Sequence, residues 1–107
     1  MTLYHTTHGT LNLHSGLCLT DSEYATYGEN RVEVELDTDG LEVMDVEVSR
    51  ADRDENIWPG DSKASREAYM AEGADVIRYN DEDDQGRQHT TYRILSARGL
   101  AALRVVA

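Results

Sequence analysis

The sequence predicts an α+β fold on three observations. Strand-like segments outnumber helical ones, the helical segments fill gaps in the strand order instead of alternating with it, and 107 residues suit one compact domain spanning 1–107. That order excludes a helical bundle and a regular βαβ series. No Pro/Gly/Ser-rich linker or internal repeat divides the chain.

Residues 3–6 form a short strand, and Leu17-Cys18-Leu19 a second that ends at Thr20. Thr20-Asp21-Ser22-Glu23 matches a capping box, so a short helix through Tyr27 is expected, stopped by Gly28. In residues 31–36, Val32, Val34 and Leu36 alternate with Arg31, Glu33 and Glu35, the pattern of a half-buried strand. Asp39-Gly40 marks a turn, after which Leu41 to Val48 alternates less strictly. The 50–56 stretch is polar, and Trp58-Pro59-Gly60 reads as a turn. Asp61 or Ser62 then caps a helix running to about Glu72, with Gly73 as its stop. Asp75 to Tyr79 is a strand, Asn80–Gln88 an acidic loop, and His89–Leu95 the hairpin partner; residues 103–106 close the chain as a last strand.

Charge is the extreme feature. Twenty-one acidic residues face ten basic ones, of which Lys63 is the one lysine, for a net charge of −11. Such a chain is repelled by nucleic-acid backbones, whose binding depends on Lys and Arg releasing counterions, so no direct nucleic-acid contact is expected. The charge serves either solubility or the engagement of a basic partner. No apolar run approaches the ~20 residues that span a bilayer, so no membrane contact is expected either. Met1-Thr2-Leu3-Tyr4-His5 carries no basic region followed by an apolar stretch, and the single Cys18 permits no internal disulfide; together these point to the cytoplasm.

Metal chemistry is not expected. His5 and His8 lie three apart in a strand-like stretch, which puts them on opposite faces, and no zinc-protease Glu stands between them. The acidic loop has Asp81, Asp83 and Gly86 at the first, third and sixth places of a calcium loop, but Tyr92 at the twelfth, where a bidentate Glu is needed. Cys18 sits in an apolar strand, the setting of a buried, inert thiol.

A combination of segments remains: Tyr4-His5-Thr6-Thr7 at the end of the first strand, Gly16-Leu17-Cys18-Leu19-Thr20, Ala25-Thr26-Tyr27-Gly28, Gly73-Ala74-Asp75-Val76-Ile77, and Thr91-Tyr92-Arg93-Ile94-Leu95 after a polar loop. In that order, over nearly the whole chain, they resemble the ADP-ribosyltransferase superfamily, and most of all its small phage anti-CRISPR members. The resemblance implies a compact fold of mixed, mainly antiparallel β-sheets with two short helices, and NAD as substrate. It implies that His5 hydrogen-bonds the NAD ribose, that Tyr27 or Tyr24 stacks on nicotinamide, and that Thr6 and Thr20 place hydroxyls beside the cofactor.

The chain departs from the family at the catalytic carboxylate: Thr91 stands where the family has Glu. The substitute expected is Asp81, with Glu82 and Asp75 behind it, an anion beside the developing oxocarbenium charge. The activity implied is mono-ADP-ribosyl transfer to a host protein, and in the anti-CRISPR case to a component of a CRISPR surveillance complex in the host cytoplasm. The alternative is a catalytically inactive acidic module on the same scaffold that blocks a basic, nucleic-acid-binding surface. Transfer of an RNA 2′-phosphate to NAD would need a basic cluster that the sequence does not supply.

Overall fold

Strand pairing dominates the computed structural model, which describes residues 1–7, 11–22, 30–82 and 86–106. Strands β1 (Thr2–Thr7), β2 (Leu17–Thr20), β3 (Asn30–Leu36), β4 (Val43–Asp45), β5 (Val76–Glu82), β6 (Gln88–Ile94) and β7 (Leu103–Val105) form one seven-stranded sheet in the order β4-β5-β6-β2-β1-β3-β7. All neighbours are antiparallel except β4 and β5. Helices α1 (Arg50–Asp54), α2 (Lys63–Ala71) and α3 (Ala97–Ala101) complete the described elements, and the class is α+β. The helix expected from Thr20 through Tyr27 lies outside the described residues apart from its first positions, where Thr20 Oγ1 accepts the Ser22 N–H at 3.1 Å.

Alternation along the strands sorts side chains onto two faces. One face carries Leu3, Leu17, Leu19, Val34, Leu36, Val76, Tyr92 and Ile94, all buried, with Leu100 of α3 packed against them. On the other, Ile77 and Tyr79 of β5 pack with Ala74 and Leu95 under Tyr69 and Met70 of α2. Helix α2 is amphipathic for that purpose: its half-buried positions, Ser65, Arg66, Tyr69 and Met70, recur at the four-residue spacing of one helical face. The cavity lies on this second face, with Trp58 of the turn before α2 in its lining.

The structure adjusts three expectations. Asn80–Gln88 is less loop than its composition suggests, because β5 continues to Glu82 and β6 begins at Gln88, with cross-strand pairs Asp81↔His89 and Glu82↔Gln88. Gln88 Nε2 donates to Glu82 Oε1 at 2.6 Å, and such pairs hold acidic residues in a strand that propensity alone would reject. The polar 50–56 stretch contains α1, nucleated by Ser49, whose Oγ accepts the Asp52 N–H. Helix α3, also unexpected, is capped by Ser96, whose Oγ accepts the Gly99 N–H at 3.0 Å. Of the two residues considered as the α2 cap, Ser62 takes the role by accepting from Ser65 N–H, while Asp61 accepts the Trp58 N–H and closes the turn before it. Gly73 follows α2 with φ of 96°, as a stop residue should. The loosely alternating 41–48 segment contributes only the three residues of β4, paired parallel to β5.

Candidate functional site

A cavity of about 260 Å³ opens on the second sheet face, lined by Tyr4, His5, Thr6, Cys18, Leu19, Thr20, Trp58, Tyr79, Asp81, His89, Thr91 and Arg93. The register explains the gathering. Tyr79 pairs with Thr91, Asp81 with His89, Thr91 with Thr20, Arg93 with Cys18, and Thr20 with Tyr4. Because strands alternate, one row on each of four adjacent strands faces the same space.

His5 reaches the cavity differently. The β1–β2 ladder holds one register pair, Tyr4↔Thr20, and the Cys18 carbonyl accepts a hydrogen bond from His5 Nδ1 at 2.7 Å. A carbonyl can only accept, so Nδ1 carries the proton, and in the neutral ring Nε2 is left as an acceptor.

Asp81 stands across the hairpin from Thr91. Thr91 Oγ1 donates to Asp81 Oδ2 at 3.2 Å, and His89 Nε2 lies 3.7 Å from the same oxygen, with the His89 side chain only 5% exposed. Trp58, from the turn before α2, stacks on Tyr79 with ring centroids 5.9 Å apart and an interplanar angle of 23°. Burial pushes the Tyr79 phenol up to about 12, so it stays protonated at neutral pH. Its oxygen accepts from Arg93 Nη2 at 3.4 Å. Burial also raises the Cys18 thiol, which fits the inert role expected of it.

Three buried polar side-chain atoms among the described residues have no hydrogen-bond partner: Thr6 Oγ1, His89 Nδ1 and Arg93 Nε. All three belong to residues that line this cavity. Buried polar groups are nearly always paired, so three unpaired atoms in residues of one cavity lining set this region apart among the described residues.

The structure thus brings His5, Thr6, Thr20 and Asp81 together. Glu82 does not join them: it lines the neighbouring groove with Arg50, Arg53 and Asp54, next to Trp58 and Asp81. Asp75 lies elsewhere, at the entry to β5, with its carboxylate accepting from Ser96 Oγ at 2.6 Å and Glu42 N–H at 3.0 Å. Those bonds describe a structural carboxylate and correct its candidacy as the acid. Tyr24 and Tyr27 lie outside the described residues. Tyr79, Trp58, His89 and Arg93 also line the cavity and were not expected there from the sequence. Laying the 75–79 and 89–95 strands side by side as an in-register hairpin would have put Tyr79, His89 and Arg93 on the face of Asp81 and Thr91; nothing local marks Trp58 beyond its turn.

Among the described residues no group of three or more His, Cys, Asp or Glu side chains is placed to hold a metal ion, and no helix is long and apolar enough to cross a membrane. No protein-family model, curated protein or solved structure matches the chain.

Proposed function

We propose that the protein is an NAD-dependent mono-ADP-ribosyltransferase that modifies a host protein in the cytoplasm. The observation that carries this reading is the position of Asp81. Its carboxylate meets Thr91 Oγ1 from across the hairpin, so the acid missing at residue 91 is supplied from the facing strand into the cavity that His5 also lines.

In this reading His5 Nε2 accepts a hydrogen bond from a ribose hydroxyl, held in place by its Nδ1–H bond to Cys18. The stacked Trp58–Tyr79 pair offers a flat apolar wall for nicotinamide. Thr6 and Thr20 add hydroxyls to the lining. The cavity volume falls just under the ~300–1,000 Å³ of typical small-molecule sites, which suits the nicotinamide–ribose half and leaves the adenosine half outside it. In the reaction the C1′–nitrogen bond breaks and nicotinamide departs neutral with the electron pair. A nucleophile of the acceptor then bonds C1′ and gives up its proton to solvent. Asp81 stabilises the cationic ribose between these events, a task for an anion held in place by Thr91.

The charge of −11 favours a second reading, an inactive acidic module that covers a basic surface of a CRISPR surveillance complex or similar partner. Label transfer from tagged NAD into bacterial lysate separates the two. The enzyme reading expects labelling by the wild type, and about 100-fold or greater loss in Asp81→Asn, in line with removal of one electrostatic stabiliser. Labelling that Asp81→Asn leaves intact would remove Asp81 from the mechanism. An absence of labelling alongside salt-sensitive capture of a basic partner would favour the module.

A further inference from the structure

We propose that the Arg93 wall of the cavity is a phosphate subsite. Arg93 is half-buried on β6 and its guanidinium is held in one pose. Nη1 donates to the Gly60 carbonyl at 2.8 Å and Nη2 to the Tyr79 hydroxyl. Gly60 presses on the side chain so closely that a Cβ there would meet Arg93 Cδ at 2.6 Å, and its φ of +76° already calls for glycine.

Both partners of Arg93 are neutral. No described carboxylate forms an ion pair with it, although Arg78 pairs with Asp45 and Arg98 approaches Asp75. In a chain with 21 acidic and ten basic residues this is not for want of anions. The nearby carboxylates are directed elsewhere: Asp61 to the Trp58 N–H, and Asp81 to Thr91 and His89. Nε remains buried and unpartnered, as do Thr6 Oγ1 and His89 Nδ1 around the same cavity. A buried charge is costly unless an opposite charge meets it, and a pre-set guanidinium fork suits phosphate oxygens. Because the protein as a whole repels anions, selection here rests on local geometry and not on long-range attraction.

This rests in part on the NAD reading, since it places a phosphate of that ligand at Arg93, and the test separates the two. Nicotinamide mononucleotide and nicotinamide riboside differ by one phosphate, and their binding to the full chain can be followed by calorimetry. The wild type should bind the mononucleotide about tenfold or more tightly than the riboside. Arg93→Gln should bring that ratio to within about twofold, and Arg93→Lys, which keeps the charge but loses the fork, should leave an intermediate ratio. Should Arg93→Gln not fold, Gly60→Ala, which displaces the Arg93 side chain, should reduce the ratio instead. Equal affinities in the wild type would overturn the subsite and leave the NAD reading standing. If neither compound binds, inorganic pyrophosphate decides: a rise in Tm that Arg93→Lys weakens keeps the subsite and removes the NAD reading, and no rise overturns both.

Discussion

Asp75→Ala offers the clearest separation of structural from chemical carboxylates. Asp75 is 6% exposed and ties three segments together. Its side chain accepts from Ser96 Oγ and the Glu42 N–H, and its backbone carbonyl accepts from the N–H groups of Leu95 and Ser96. Hydrogen bonds to a charged group contribute about 1.5–3 kcal/mol each, and the exposed Glu42 segment lets water replace part of one, so truncation should cost roughly 2–4 kcal/mol. At about 2 cal/mol/K per residue of unfolding entropy, that lowers Tm by roughly 10–20 °C. A domain of this size holds only about 5–15 kcal/mol in total, so the loss is severe. The pH dependence follows from the direction of the shift. The Ser96 hydroxyl first, then the Glu42 N–H, hold the Asp75 carboxyl below its ordinary value. Its charge-dependent stabilisation is therefore full above about pH 4 and fades as pH falls through the depressed folded value. Thermal melts of wild type and Asp75→Ala between pH 2 and 8 should show a wide gap at neutral pH that narrows below about pH 4. An Asp75→Ala protein that melts within about 2 °C of wild type yet loses label transfer would refute this reasoning and return Asp75 to the list of chemical residues.

Other substitutions test neighbouring parts of the account. Gly99→Ala should lower stability by about 1–2 kcal/mol by denaturant titration, despite alanine's better helix propensity, because its Cβ would meet the Asp75 carbonyl oxygen at 2.9 Å and Ile94 Cγ2 at 3.0 Å. Stabilisation instead would mean that α3 can move off β5. Cys18, with its thiol raised by burial, should react with iodoacetamide at pH 7.5 at least about tenfold more slowly in the native protein than in urea; equal rates would show an open thiol. Glu82→Gln should leave label transfer within about twofold of wild type, since Glu82 lies outside the cavity and holds Gln88; a loss as large as that of Asp81→Asn would enlarge the catalytic set.

The elements that were legible in the sequence are those with a local cause. Val32, Val34 and Leu36 alternate with charges, so β3 shows itself, and Ser62 and Gly73 bracket α2 with a cap and a stop. Helices α1 and α3 escaped although Ser49 and Ser96 cap them locally, and much of the rest depends on long-range partners. Helix α3 contains Gly99, a poor helix residue, and the close Asp75 backbone beside it accounts for glycine at that position. Asp81 and Glu82 read as loop by composition, yet His89 and Gln88 opposite make them strand. The same holds for the candidate site. His5, Thr6, Thr20 and Asp81 could be named one at a time, whereas the roles of Tyr79 and Arg93 emerge only once β5, β6 and β2 are set in register. Trp58 comes to the cavity through its turn and its stacking on Tyr79, which no local pattern encodes.

The central claim is that this cavity binds NAD, and Trp58 gives a direct measure of it. It is the one tryptophan of the chain and lies in the cavity wall, so its fluorescence should report occupancy. Titration of the wild type with NAD should give a saturable change, and His5→Ala should weaken the apparent Kd by about tenfold, the loss of one well-placed hydrogen bond. A flat titration of the wild type into the millimolar range, or a binding curve that His5→Ala leaves unchanged, would contradict it.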